Sequence, residues 1–420
     1  MTRDASPAPV SAPVPASAAS AGRPADTARA PSTGRLVGID LARGLAVFGM
    51  YAAHVGPDPE EDRLLLGGPF ELLTELGRGR APALFAVLAG FSLIILTGRP
   101  RPRTGRAGRQ AVARVVIRSL LLLVVGYALV ALPTIIAIIL PCYGLFFLVV
   151  LPLYRLRGRT LAVLALTTAL VMPQVLFFML RAIDEGDWAW TIIDYDPLAR
   201  ITDTDGFIEL LFIGEYPVIT WVPFVLTGMA VARLDLRRHV VRARLALTGA
   251  ALVVLGHGGS WLALHLVPNA MSDVLTATDG DSAAMAWWAD MVGYPDEELP
   301  GAWLLVGAPH SQTTFSILGS AGLALLVLTL CVVVADRMPR LIRLLRPVCA
   351  VGMIALTAYA AHICVIAVLG MPYDYFPAVA MLTGLTLGSM LFATLWMNHF
   401  RRGPLEQALY KVTQVARRVK

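Results

Sequence analysis

Apolar runs of about 20 residues, separated by short polar stretches, recur along almost the whole chain after residue 35. They fall at about 36–55, 80–97, 112–132, 134–154, 160–180, 209–231, 243–265, 312–335, 348–370 and 377–398, each near the length a helix needs to cross a bilayer. The pattern predicts an all-α fold: a polytopic integral membrane helical bundle of about ten transmembrane helices. The division of 112–154 into two spans rests on a short uncharged turn near Pro133.

Composition agrees: 57% of the 420 residues are hydrophobic, only 15% are charged, and the mean hydropathy is +0.67. The net charge of +6 is mostly arginine between apolar runs, so it reads as a topology signal and no nucleic-acid partner is expected. Arg99, Arg101, Arg103, Arg106 and Arg109 follow the second run, Arg155, Arg157 and Arg159 the fourth, Arg233 to Arg244 the sixth, and Arg337 to Arg346 the eighth. The first, fifth and seventh connections are acidic; Val267 to Pro309 holds seven Asp or Glu and no Lys or Arg. By the positive-inside rule the basic loops and both termini are cytoplasmic, and the loops at about 182–208 and 266–310 are outside. A multi-pass protein of the cell (plasma) membrane is the expectation.

Residues 1–34 read as a disordered Ala/Pro/Ser-rich cytoplasmic tail without the apolar core of a secretory signal, so no cleavage is expected. Residues 401–420 read as a basic amphipathic cytoplasmic tail lying at the interface, with Gly403 and Pro404 ending the last span. Cys142, Cys331, Cys349 and Cys364 lie in apolar segments without ligand spacing, which predicts buried thiols and no metal.

The first run, RLVGIDLARGLAVFGMYAAH, carries ionisable groups that a membrane span normally avoids. Asp40 and Arg43 stand three apart and can pair on a helix; His54 is eleven beyond Arg43, so Arg43, Val47, Tyr51 and His54 share one stripe. Gly44 and Gly49 beside it suggest close packing inside the bundle. A plainer reading stays open, an interfacial pair with Arg43 snorkelling to lipid phosphates.

Other polar groups stand near the spans. Tyr359 and His362, three apart in LTAYAAH, make either an interhelical bridge or a second wall of a site. In PHSQTT, Ser311 is placed to cap the next helix, with His310 beside it. Glu215, ahead of Pro217 and Trp221 in a run expected to kink, could orient His54 or bind a hydroxyl. His257, among small residues, reads as a packing bridge.

Arg43 and His54 within IDLARGLAVFGMYAAH resemble the Arg and His signature in the first helix of the membrane acyltransferase superfamily. That superfamily includes acyltransferase family 3 and the heparan-alpha-glucosaminide N-acetyltransferase family, whose start is similar to GIDLARGLAV. APALFAVLAGFSL resembles their second helix, and GEYPVITWVPFVLTGMAVARLDL, PHSQTTFSILGS, GMIALTAYAAHI and RRGPLEQALY look like bacterial membrane proteins grouped as domain of unknown function 418. The resemblance implies an acyltransferase-like domain over 35–400 that moves an acyl group, acetyl by preference, from cytoplasmic acetyl-CoA to an outer acceptor. His54, Arg43 and Asp40 would be catalytic, Arg43 and Arg78 would bind the CoA donor, and Glu215, His310, Ser311, Tyr359 and His362 would face the acceptor. The animal glucosaminide enzyme carries its essential histidine in the loop after this helix; residues 55–79 contain none, so a heparan substrate is not carried over.

The residues support that chemistry in outline. Acyl transfer needs a base near neutrality, which histidine supplies, and phosphates suit arginine's planar fork. No glycine-rich phosphate loop is present, so phosphate binding would rest on Arg43 and the basic loops. Expected partners are the lipid bilayer, acyl-CoA, an envelope or small-molecule acceptor and, in assembly, a homodimer. Two other readings stay open: a secondary transporter, for which no internal repeat is visible, and a scaffold in which the stripe is packing glue.

Overall fold

The computed structural model describes residues 37–57, 77, 79–184, 195–196, 206–278, 283–289, 299–370 and 377–419. Among them all regular structure is helical, as apolar segments that satisfy their own backbone groups require. The order is α1 (Val37–Val55), α2 (Arg80–Thr97), α3 (Gly105–Val130), α4 (Leu140–Val150), α5 (Gly158–Asp184), α6 (Phe207–Phe212), α7 (Val218–Ala232) and α8 (His239–Val253). A π turn, Val254–Gly258, leads into α9 (Gly259–Leu266), followed by α10 (Ala270–Ala277), α11 (Thr314–Arg337), α12 (Pro339–Leu344), α13 (Arg346–Met353), α14 (Ala355–Leu369), α15 (Ala378–His399) and α16 (Pro404–Thr413).

Among the described residues, six helical runs are long and apolar enough to cross a membrane: α2, α3, α5, α8 with α9, α11 and α15. α1 has 19 residues, and its Asp40, Arg43 and His54 lower its hydropathy. Three expected spans differ from their sequence reading. The run 134–154 becomes helical only at Leu140, because Pro133 lacks an amide donor and Pro141 sits in the first turn of α4. The run 209–231 is broken, not kinked: Gly214 takes φ +83 and Pro217 precedes α7, leaving Glu215 between two helices. The run 348–370 is a pair, α13 and α14, bent by 86° at Ile354.

The centre of the bundle is built where glycines let backbones meet. α2 crosses α7 so closely that a Cβ on Gly90 would collide with the Val225 carbonyl oxygen, and one on Gly228 with that of Val87. α1 lies against α13 in the same way, with Gly44 on the Val348 carbonyl and Gly352 on that of Asp40. Gly38 abuts the Val332 backbone of α11, and Gly49 faces Ala81 of α2, as the small residues of α1 led one to expect. In lipid such contacts hold helices by dispersion and interhelical polar bonds, since apolar side chains gain little by leaving a hydrocarbon solvent.

Polar clamps tie the ends. Arg233 donates to the carbonyls of Gly98 (2.8 Å), Pro100 (3.0 Å) and Tyr154. Arg242 pairs with Asp336 at 2.8 Å, joining α8 to α11. Gly403 and Pro404 begin α16 instead of ending α15, which stops at His399. Glu406 of α16 accepts the amides of Leu356 (2.9 Å) and Thr357 (3.2 Å) and the Thr357 hydroxyl (2.6 Å), so the tail helix caps α14 at its bend. Cys142, Cys331 and Cys349 are buried free thiols, but Cys364 is exposed on α14, contrary to the expectation for it.

Gly90→Ala and Gly228→Ala should each lower the thermal midpoint of the detergent-purified protein, by an overpacking cost of about 1–3 kcal/mol. Gly384→Ala, where a Cβ meets no atom within 4 Å, should leave the midpoint unchanged or raise it.

Candidate functional site

The stripe on α1 forms two polar centres joined by buried Val47 and Tyr51. At the first, Arg43 Nη1 lies 3.3 Å from Asp40 Oδ1, and Nη2 donates to Ser92 Oγ of α2 at 2.6 Å. The Ser92 hydroxyl in turn donates to the Leu88 carbonyl at 2.7 Å, so its oxygen is oriented to receive the guanidinium. Asp40 is buried, and Arg43 keeps 26% of its side chain exposed, enough to meet a ligand while it is held. Arg118 of α3 stands within electrostatic range of Arg43 and Glu406. Arg114, one turn before it, shares that face of α3, and the buried Nε atoms of both lack a hydrogen-bond partner among the described residues.

The second centre is at the far end of α1. Tyr51 donates its hydroxyl to the Ala358 carbonyl (3.1 Å) and lies 2.9 Å from Ser389 Oγ of α15, which brings α1, α14 and α15 together. His54 Nδ1 is 3.0 Å from His362 Nε2, and the two rings stack with centroids 5.2 Å apart and planes within 12°. His362 Nδ1 faces the Tyr359 carbonyl oxygen and must donate to it. His362 Nε2 is therefore an acceptor, His54 Nδ1 is the donor, and His54 Nε2 carries the lone pair. These tautomers follow from the hydrogen-bond network. A partly exposed imidazole with its basic nitrogen pointing away from an orienting partner can take a proton from a hydroxyl or amine.

The second centre also borders a cleft of about 440 Å³ between α14 and α15, whose walls include Thr357, His362, Gly384, Gly388 and Ser389. Its other lining side chains are apolar.

The remaining sequence candidates do not all join this site. Tyr359 is buried with its ring 5.1 Å from that of His362, so it belongs to the second centre. Glu215 is half exposed and pairs with His310 (Oε2 to Nδ1 3.2 Å), not with His54. The break before α7 carries it to a cluster in which His310 also meets the rings of Tyr216 and Trp221 and stands within electrostatic range of His54. Ser311 does not cap α11; its hydroxyl donates to the Ala308 carbonyl at 2.7 Å, and Thr313 caps the helix by accepting the Ser316 amide at 3.1 Å. His310 and Gln312 take φ of 61° and 59°, which delays the helix start by two residues. Arg78 lies outside the described residues. His257 bridges to the Trp287 carbonyl at 3.1 Å, as a packing role predicts, while buried Arg80, which the sequence reading passed over, stacks on Trp288 at 3.9 Å. Ser92, Ser389, Arg114 and Arg118 were also passed over. The two arginines inside an apolar run were a usable signal; the serines gave none, because their partners lie on distant helices.

Two family models match the chain. That of heparan-alpha-glucosaminide N-acetyltransferase, catalytic, covers residues 35–267, and that of a protein of unknown function, DUF418, covers residues 284–416. The first spans more than half of the sequence. The chain belongs to the heparan-alpha-glucosaminide N-acetyltransferase catalytic family. No curated protein matches it. Family membership and the apolar helices together mark a membrane protein of acyltransferase type. The histidine pair straddles the two matched segments, His54 from the N-acetyltransferase part and His362 from the DUF418 part.

With isotope-labelled histidine, NMR of the wild type should find His54 protonated at Nδ1 and bare at Nε2. The same spectrum of His362→Ala should lose that preference; an Nε2-protonated His54 in the wild type would refute the assignment.

Proposed function

We propose that this protein transfers an acyl group, acetyl by preference, from cytoplasmic acyl-CoA to a hydroxyl or amine on the outer side of the cell membrane. The observation that carries the reading is the His54–His362 pair, 3.0 Å apart, at the end of the helix that begins with Arg43. Family membership supports an acetyl-CoA donor. The alternating charges of the loops support about ten crossings with both termini inside, α13 and α14 acting as one broken span. In that orientation Arg43 and Arg118 face the cytoplasmic side, where the CoA phosphates would seat on guanidinium groups. The eleven residues from Arg43 to His54 span roughly 16 Å of helix, and the CoA arm would run along this stripe.

The acceptor proton passes to His54 Nε2 as the acceptor oxygen or nitrogen bonds to the acyl carbon. The carbon–sulfur bond then breaks, and the CoA sulfur leaves as thiol after receiving that proton from the His54 imidazolium, which returns the base to its neutral form. His362 holds the His54 ring and, once His54 is an imidazolium, accepts a charge-assisted hydrogen bond from it. Asp40 keeps Arg43 extended toward its ligand without occupying both of its terminal nitrogens. One observation favours a second reading: the bend between α13 and α14 resembles the discontinuous helices of secondary transporters. Solute counterflow in proteoliposomes without turnover of acetyl-CoA would support that reading.

Removing His54 as His54→Ala should cut acetyl transfer to a membrane extract by roughly 10²–10⁴-fold. Acetyl-CoA binding to the purified variant should persist. Arg43→Ala and Arg118→Ala should show the opposite split, each weakening acetyl-CoA binding by at least about tenfold, the worth of a hydrogen bond to a charged group. Full transfer by His54→Ala, folded and expressed, would sink the assignment.

A further inference from the structure

We infer that the C-terminal segment 401–419 is a binding site for anionic phospholipid, and that lipid seated there fixes the bend on which His362 depends. The link to catalysis rests on the acyl-transfer reading of the His54–His362 pair; the lipid contact does not.

The place of this segment in the fold sets its surroundings. α15, long and apolar enough to cross a membrane, ends at His399, and α16 begins at Pro404, where the chain leaves the span. Phe392, Trp396 and Phe400 stack along that exit, with successive ring centroids 5.6 and 4.4 Å apart, in the manner of the aromatic belts found at headgroup level. Trp396 Nε1 donates to the Arg402 carbonyl at 2.8 Å, which holds the start of the segment at that depth. Gln110 Nε2 donates to the carbonyls of Arg417 and Val419, each at 3.1 Å, and pins the other end to α3.

The outer face of the pinned segment is cationic. Arg401, Arg402, Lys411, Arg417 and Arg418 are exposed, and Gln110 brings the exposed Arg106 and Arg109 of α3 to the same end. Glu406 is the only acid between residues 401 and 420, and it is turned inward onto α14. Among the cations stand Val412 and Val415, 44% and 53% exposed. A helix lying in the plane of a bilayer accommodates both, with apolar side chains at the acyl boundary and cations among the phosphates. Anionic headgroups strengthen the hold by roughly fivefold for each basic side chain near the surface.

The inner face meets the bend between α13 and α14. Glu406 accepts the amides of Leu356 and Thr357 and the Thr357 hydroxyl, and the Thr357 oxygen accepts the Leu405 amide at 3.1 Å. Gly403 lies so near Ile354 that a Cβ on it would stand 2.8 Å from that of the isoleucine. With α16 lifted away, the first amides of α14 lose their acceptor, and the helix that holds His362 against His54 frays from its start. Docked, the segment shows the lipid its cations and hides Glu406; released, it would carry that carboxylate to an anionic surface. Anionic lipid therefore favours the docked form and, through it, the pairing of the two histidines.

The test uses the full-length protein in vesicles of phosphatidylcholine alone and of equimolar phosphatidylcholine and phosphatidylglycerol. In the anionic vesicles hydrogen exchange over α16 and at the Leu356 and Thr357 amides should slow by at least about tenfold, less than two such cations supply. That protection should shrink as salt is raised. Turnover of saturating acetyl-CoA should rise by a similar factor. Lys411→Ala, Arg417→Ala and Arg418→Ala combined should remove both responses while keeping the neutral-vesicle values. Glu406→Ala should keep the lipid response of α16 and lose it at Leu356 and Thr357. Equal exchange and turnover in the two vesicles overturn the proposal. So does a response that survives the triple variant, which would put the lipid elsewhere, and so does equal protection of α16 by acetyl-CoA in neutral vesicles, which would give the cations to the donor. Lipid protection with unchanged turnover overturns the link to the histidines and leaves the lipid site standing. Lipid protection with no acetyl-CoA turnover in any vesicle overturns the acyl-transfer reading and the link with it.

Discussion

The polar bonds that α1 makes to its neighbours depend on the close approach of α1 to α13. Gly44 rests on the Val348 carbonyl and Gly352 on that of Asp40, so each helix lacks a side chain where the other presents backbone. Hydrocarbon surroundings give little reward for burying apolar side chains, and short-range packing of this kind must hold the helices instead. A methyl group at either glycine would push α1 outward. Arg43 would then draw back from Ser92, and His54 from His362, because both bonds run from α1 to other helices.

The bend at Ile354 follows from the same contact. α13 lies flat against α1, and a helix continuing straight from it would carry His362 away from His54. The 86° turn redirects the chain but exposes the first amides of α14 in a region with little water to satisfy them. Glu406 meets that need from outside the span, accepting two amides and one hydroxyl. The C-terminal helix is thus part of the scaffold of the site, although the sequence suggests only an interfacial tail. Arg118, within range of Glu406 and Arg43, links this cap electrostatically to the Arg43 end of α1.

Much of the architecture is legible in the sequence, since a run of apolar residues has few options in lipid. The all-helical class, the positions of the long spans and the pairing of Asp40 with Arg43 follow from period and spacing. Where the reading departs from the structure, non-local partners decide. Proline and glycine announce an interruption near 214–217 but not whether a helix kinks or breaks, and nothing in the run 348–370 announces a right-angle turn whose cap lies some 50 residues onward. Glu215 looked able to reach His54; which helix end it faces depends on the break, and it meets His310. Ser311 has the right chemistry for a cap, yet the left-handed φ of Gln312 moves the helix start to Thr313. The sequence offers His362 as a second wall of a site, but not its direct contact with His54, because 308 residues separate them.

The choice of a second histidine as the partner of His54 has a physical consequence. A carboxylate in that position would orient the ring equally well and would stabilise the imidazolium more strongly. It would also leave an anion in a membrane interior whenever the site is idle, at a cost of several kcal/mol unless paired. Two neutral imidazoles carry no resting charge, and their stacked rings fit an apolar wall. With Arg43 balanced by Asp40, the path from one centre to the other holds no uncompensated charge along α1 until a proton arrives at His54. In the proposed transfer, the charge that arrives at His54 Nε2 can be shared through the Nδ1–H bond to His362 Nε2 without a charged side chain crossing the bilayer.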